Sequence, residues 1–508
     1  MSHDIDSQHL TMEDIPPETL SEILSSLDAK SLLVCYSVCR LWNELVHSSS
    51  DLQCKIELWA DGMEPEYSLP ASETLEALIS SRRAWKNLEW TSEVTLEMES
   101  LWISRAYELV GGLFLQQQQR APKLLSVSFS RGRAPRITTT PSSAEALEGF
   151  HDLAIDPTQD LIIWFSWISG EYASLECRTI STGEDHPLAD ESVLTFELDR
   201  NPLGSFTVQI ADDVVAIFFR GTPSTAHLFN WKTGVEIAEF SDTEFREEFR
   251  TDFHLLSPRS YLFAHGSDAG PGQIDIFTFE ADDYNDPILV GTLELPKLLP
   301  GIGLTNVMIH TGPFCAKPIA GSPFSKSNEH RIYMFMLCYD LQHWCRLFVP
   351  FRYLHKFVLD ADRIGEQTRV ATLAWDEWGF HNSRLLPGSN HQWNRQVHGE
   401  RVALPCDDPT YVHVLDFGVR PQRKENETPE EESNSPLAAL SADLFVGSDF
   451  FTLDGVFQDS ILTALPYRSL RRKLDRSHDM FLMDQDRILA MNTSPFSSSP
   501  DKVTVYTF

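Results

Sequence analysis

Four segments of this chain share one pattern, a polar turn set between two short apolar runs. They are "LAIDPTQDLIIWF" (residues 153–165), "VQIADDVVAIFF" (208–219), "FHLLSPRSYLFAH" (253–265) and "FLMDQDRILAMN" (481–492). Short apolar runs bounded by Asp, Gly, Pro and Ser read as strands joined by tight turns. Three of the four lead into a further strand-like stretch, at residues 226–240, 272–280 and 501–508. The second and third begin at Val208 and Phe253, 45 residues apart, close to the length of one four-stranded propeller blade. Helical periodicity is scarce from residue 94 onward, and residues 94–508 leave room for seven or eight such blades. The expected fold is therefore α+β and multidomain: a small N-terminal helical unit, then a mainly β domain folded as a seven- or eight-bladed β-propeller. A pair of β-sandwiches is the competing arrangement. The last run, "VTVYTF" (503–508), suits closure of a ring, because a propeller leaves only short protected edges.

The N-terminal unit has another rhythm. In "EDIPPETLSEILSSL" (13–27), Pro16 and Pro17 mark a helix start, where a missing N–H costs nothing. Leu20, Ile23, Leu24 and Leu27 follow at helical spacing. Asp28 reads as the N-cap of a second helix with Leu32 and Leu33 inward, and Val34, Val38, Trp42 and Leu45 continue a helical face with a bend near Ser37. Three short helices are too small to stabilise themselves easily, so their apolar side calls for a neighbouring surface. The bland reading makes them the first piece of a larger core. A DNA-entering helix-turn-helix has the wrong sign, since Lys30 and Arg40 are the only basic side chains of residues 11–50.

The stretch "IPPETLSEILSSLDAKSLLVCYSVCRLWNELV" resembles an F-box, the helical module of F-box proteins. The matching positions are Ile15-Pro16, Glu18, Ile23-Leu24, Leu27, Leu32 and Val38-Cys39-Arg40-Leu41-Trp42, with Ile15 in place of the commoner leucine. The resemblance implies docking to a Skp-type adaptor, and through it to a cullin scaffold in a ubiquitin ligase. It puts Ile15, Pro16, Leu20, Ile23, Leu24, Leu27, Leu32, Leu33, Val38, Cys39 and Trp42 forward as adaptor-binding residues, with Cys39 as a core position. Trp42 is either an interface anchor or a filler between the module's own helices.

The expected division is a disordered N-terminus at 1–10, the helical module at 11–50, a helical linker at 51–93 and the propeller at 94–508. In the linker, residues 71–90 carry Leu75, Leu78 and Ile79 on one face, with Trp85 and Leu88 beyond, and pack the module against the β domain. The layout "KIEL…GM" then "AWKNLEW" resembles the region after the F-box in basidiomycete fungal F-box proteins. "FNWKTGVEI" (229–237) resembles the strand–turn–strand of a WD-type repeat, with Thr233-Gly234 at the hairpin. "PQRKENETPEEESNSP" (421–436) reads as a disordered loop bearing Ser433 and Ser435, and "APRITTTPSS" (134–143) as a shorter case of the same kind.

Chemistry is hard to find. No metalloprotease, nucleophile-elbow, P-loop or dinucleotide motif occurs. Cys338 and Cys345 with His343 read as buried cysteines on strands rather than as a metal site, and "GSDAGPGQ" (266–273) as a hairpin turn. No catalytic residue, cofactor or metal is expected. The formal net charge of −33 disfavours nucleic acid and anionic membrane as partners. No apolar run is long enough to cross a bilayer, and scattered cysteines fit a reducing compartment, cytosol or nucleus. Trp375, Trp378, Phe380 and Trp393 form an aromatic cluster with two readings, a target-binding surface or packing between blades. The leading functional expectation is a substrate receptor of a Skp–cullin–F-box ligase. A non-degradative scaffold and a propeller enzyme are the alternatives.

Overall fold

The computed structural model describes residues 15–66, 69–98, 104, 106–118, 123–130, 133–140, 150–169, 172–198, 205–221, 223–242, 251–266, 271–280, 284, 286–364, 370–389, 395–419, 440–492 and 501–508. The expected disorder at 1–10, the loop at 421–436 and Trp393 lie outside the described residues.

Five helices open the chain: α1 (Pro17–Ser25), α2 (Ala29–Val38), α3 (Arg40–Ser48), α4 (Ser50–Asp61) and α5 (Ala71–Asn87). Their ends obey local chemistry. Pro17 occupies the first turn of α1, and the Asp28 carboxylate accepts the Ser31 N–H at 2.7 Å to cap α2. The bend expected near Ser37 falls at Cys39, whose extended backbone separates α2 from α3. Gly62 ends α4 in the left-handed region at φ 60°, and a Cβ there would meet the His330 ring at 2.1 Å, so only glycine fits. Leu24, Leu32, Val46, Leu52 and Ile56 form one small core, so α4 belongs to the N-terminal unit rather than to a linker.

Seven sheets of four or five strands come next among the described residues, each with its first strand innermost, besides a separate two-stranded pair at Asp449–Phe451 and Ile461–Thr463. The seven cover residues 107–140, 150–197, 206–242, 251–294, 304–387, 397–473 and 480–507, hereafter blades 1 to 7. The innermost strands of blades 1 to 5 lie side by side in chain order, and blade 6 packs on blade 7. The ring closes as the sequence anticipates. Strand Ser92–Met98 is the outermost strand of blade 7, paired antiparallel with Asp501–Thr507 from Ser92↔Thr507 to Met98↔Asp501. The two ends of the β domain are thus held by one ladder.

Alternation explains why the blades stack. In blade 3, Val214–Phe219 is buried on both faces, with Val215, Ile217 and Phe219 facing blade 2 and Val214, Ala216 and Phe218 facing blade 4. A central strand covered on both sides reads as a continuous apolar run, which is how it stands out in the sequence. The Thr233-Gly234 hairpin is present, with Gly234 at φ 76° and its N–H bonded to the Asn230 carbonyl at 2.9 Å. The strands Ser260–His265 and Gln273–Thr278, on either side of the expected 266–273 turn, pair antiparallel, residues 267–270 lying outside the described ones, and Cys338 and Cys345 are buried in blade 5.

Two expectations fail here. Arg136–Thr140 is the outer strand of blade 1, paired with Lys123–Ser128, rather than loop; its β-branched Ile and Thr side chains suit an edge. The turn-rich aromatic segment contains a helix, Trp375–Asn382, beside a longer one at Phe351–Ile364. Both are inserted between the third and fourth strands of blade 5. They pack on blades 4 and 5, and Ala371–Leu373 between them adds a parallel strand to blade 4.

Acid sensitivity arises from the core. Burial pushes His254 and His310 down to about 3, and His398, His413 and His478 down to about 4. Such a histidine takes up a proton between pH 6.5 and about 4 only in the unfolded chain, so acidification through that window favours unfolding. Burial opposes the charge of Glu400, yet Lys326 and His330 outweigh it and hold the carboxyl below its usual range, which adds acid lability below about pH 4.5. Burial raises Asp152 to about 7, which works the other way: its cost grows as pH rises from about 4 to about 7. Five histidines outweigh one aspartate. The urea midpoint should be lower at pH 5 than at pH 7.5, and a higher midpoint at pH 5 would contradict this.

Candidate adaptor face and axial cavity

The helical unit divides its apolar residues between an inner and an outer side. Leu20, Leu24 and Leu32 are buried within this chain, which corrects their assignment to a partner: they have no surface left to offer. Leu27 and Leu33 pack partly against the same core. On the outer side Ile23 is 51% exposed, Val34 64% and Val38 62%. Pro16 and Cys39 are exposed as well, so Cys39 is not a core residue; the break at the α2–α3 junction turns it outward. Ile15 and Trp42 are half-buried, and Trp42 stands outside the core cluster. Val34, which the sequence placed only on a helical face, joins the exposed set one turn before Val38.

Behind this face the unit is fixed to the propeller. Met63–Pro65 pairs antiparallel with Phe324–Lys326, and Phe324 packs with Cys54 and Leu58 of α4 and Leu78 of α5. Trp85 stacks on Phe508 at 3.9 Å, donates its indole N–H to the Gln485 carbonyl at 3.1 Å, and carries the Arg401 guanidinium 4.6 Å above its ring. Leu88 ends α5 fully buried at φ 46°, where burial against blades 6 and 7 offsets the strain of a left-handed leucine. Arg82 of α5 ties down Glu57 and Asp61 of α4, each at 2.6 Å.

The aromatic cluster resolves in favour of packing. Trp375 and Trp378 are buried between blades 4 and 5, and the Trp378 indole donates to the Glu294 carbonyl at 2.9 Å, so neither presents a recognition surface. Phe380 is half-buried beside His381.

The propeller axis holds a cavity of about 280 Å³ that sequence reading did not find. Most of its wall comes from the innermost strands of blades 1 to 5, with Arg220 and Arg395 added from just outside them, so its residues are scattered from Tyr107 to Arg395 and no local motif announces them. Both oxygens of Glu108 accept hydrogen bonds from Arg395, and Arg220 grips Asp252 at 2.6 Å. The segment 311–331 crosses the helix-side end of the channel. Its Ala316 N–H donates to Asp156 at 3.0 Å, Lys317 N–H to Thr158 at 3.2 Å and Lys326 N–H to Gln485 at 2.8 Å. It thereby reaches the first turns of blades 2 and 7, and Ile319 rests against Gly111 in that of blade 1.

Among the described residues one trio brings metal-ligating atoms within 4.8 Å of one another: His227, Glu236 and Glu239 on blade 3. His227 Nδ1 and Glu236 Oε1 already form a 2.9 Å hydrogen bond. All eight cysteines are free thiols. No helix among the described residues is long and apolar enough to cross a membrane.

Residues 12–52 match the F-box-like family model. No curated protein sequence matches the chain. Solved structures similar to it include BamB from Moraxella catarrhalis, at TM-score 0.33 and 10% identity, covering 82% of this chain and 99% of that one. The C-terminal WD40 domain of Sif2 gives 0.33 and 10%, covering 82% and 97%. Chaetomium thermophilum Sqt1 gives 0.34 and 9%, covering 79% and 81%. At such scores the blade count rests on the strand order itself. The chain carries an N-terminal F-box-like module ahead of a mainly β domain that closes as a seven-bladed propeller.

Proposed function

We propose that this chain is the substrate-recognition subunit of a Skp–cullin–F-box ubiquitin ligase. The F-box-like module docks a Skp-type adaptor, and the propeller holds the protein to be modified. The observation that carries this reading is the exposed set Ile23, Val34 and Val38 on a module whose inner residues already fill a core of its own. Apolar side chains on short helices, open to solvent, fit the groove of a helical partner. The chain itself does no bond chemistry in this reading. It supplies proximity, keeping target lysines near a charged enzyme brought by the scaffold. Its free thiols suit a cytosolic or nuclear setting.

The propeller face turned away from the helices is the place for the target, because helices α4 and α5 and the segment 311–331 occupy the other end. Co-expression of the full chain with a Skp-type adaptor should give one stoichiometric complex on size exclusion. Separate elution of two folded proteins would overturn the proposal.

A further inference from the structure

The axial cavity holds an unbalanced set of groups. Its two guanidiniums are each taken up by a carboxylate, Arg395 by Glu108 and Arg220 by Asp252. A third carboxyl, Asp152, is left over. Among the described residues its one hydrogen bond comes from the N–H of the next residue, Leu153, at 2.8 Å, and it has no ion pair of its own; Arg395, held by Glu108, attracts it only from a distance. Three more polar atoms on the walls are buried without a partner among the described residues: Nε2 of His310, Oδ1 of Asn306 and Oγ1 of Thr207. His310 is itself only 7% exposed. Buried polar atoms left unmatched are costly, which makes their gathering around one cavity informative.

Each unmatched group can accept a hydrogen bond; the Thr207 hydroxyl, and His310 in one tautomer, can also donate, whereas Asn306 Oδ1 and an ionised Asp152 only accept. Asp152 adds a carboxyl, which carries a full negative charge once a cation sits beside it. The complement is a group with several donors, no acceptor and a positive charge, which describes a primary ammonium. Phe206, Phe253 and Met308 also line the space and offer apolar wall for a methylene stem. An anion would meet guanidiniums already neutralised and one carboxyl in excess, so phosphate is the wrong class. The net charge of −33 draws cations toward the protein from a distance.

We propose that the axial cavity is a receptor site for an alkylammonium group, which enters from the face opposite the helices and pairs with Asp152. The site deepens the ligase reading and rests on it for the source of the group, a lysine side chain of the bound protein; a free alkylamine carries the same chemistry. Burial raises the Asp152 carboxyl to about 7, and a neighbouring ammonium would hold it ionised.

The test uses the full chain and calorimetric titration with n-butylammonium chloride, with an N-acetyl-lysine amide, and with n-butanol and inorganic phosphate as controls. Both amines are expected to bind, and both controls to fail. Asp152→Asn should weaken amine binding at least tenfold. Thr207→Val, which keeps the side-chain shape, should weaken it severalfold, and it serves if the first variant misfolds. A lysine-bearing peptide that competes with butylammonium identifies the protein source; exclusion of the peptide with retention of the free amine identifies the small-molecule source. No heat with either amine, equal binding to folded Asp152→Asn, or competition by phosphate would overturn the assignment. Adaptor capture is measured on the same samples. Its retention alongside absent amine binding would sink this site and leave the ligase reading standing.

Discussion

Val34→Asp combined with Val38→Asp is expected to abolish adaptor capture while leaving the protein folded. The two positions are one helical turn apart on α2 and both face solvent, so the pair removes a stripe rather than a point. Each aliphatic side chain contributes roughly 1.5–3 kcal/mol when fully buried, and a carboxylate set against an apolar groove costs more than the lost contact. A total loss of about 4 kcal/mol corresponds to about a thousandfold in affinity. The cost to the fold is small, because the change is a few tenths of a kcal/mol of helix propensity at exposed sites. Titration of the adaptor reads the first effect and urea unfolding the second. Undiminished capture by the folded variant would remove the basis of the proposed function. A pair drawn from sequence alone, Ile23 and Leu24, would serve badly. Leu24 lies in the core with Leu32, Val46, Leu52 and Ile56, so an aspartate there unfolds the module and confounds the result. Ile23→Asp by itself is a sound third probe.

The second large effect concerns how the module is held. Phe324→Ala should cost about 3–5 kcal/mol, the usual range for emptying a packed phenylalanine site. The loss should be local. Phe324 leaves the segment 311–331 to enter the gap between α4 and α5, next to the strand pair that joins Met63–Pro65 to that segment. Hydrogen exchange should therefore speed up in residues 17–87 while the blades stay protected. Trp85→Ala should act similarly from the other contact, since Trp85 loses its stack on Phe508 and its bond to Gln485. If rigid placement of the target matters, ubiquitin transfer will fall in these variants while adaptor and target affinities hold. Uniform loss of protection across all seven blades would show instead that Phe324 stabilises the propeller as a whole.

Much of this architecture is legible in the chain because it comes from local rules. The caps at Pro17 and Asp28, the Thr233-Gly234 hairpin and the doubly buried run Val214–Phe219 each depend on residues a few positions apart. Blade spacing is readable where loops are short, as between Val208 and Phe253. It fades in blade 5, where two helices intervene between the third and fourth strands. Helix Trp375–Asn382 is hidden in the sequence because its apolar residues are aromatic and close to glycine and asparagine, which imitates a turn.

Sequence by itself determined the helical module, the strand-and-turn rhythm and the closing role of the last strand, since capping, periodicity and alternation act over short distances. Only the tertiary structure decided which leucines face inward, that α4 completes the module, and that Trp375 and Trp378 fill a gap between blades. It alone gathered Asp152, Thr207, Asn306 and His310 around one axis. Burial and charge pairing are set by neighbours that lie scores of residues away, and a helical or strand period says which side a residue faces but not what stands opposite it.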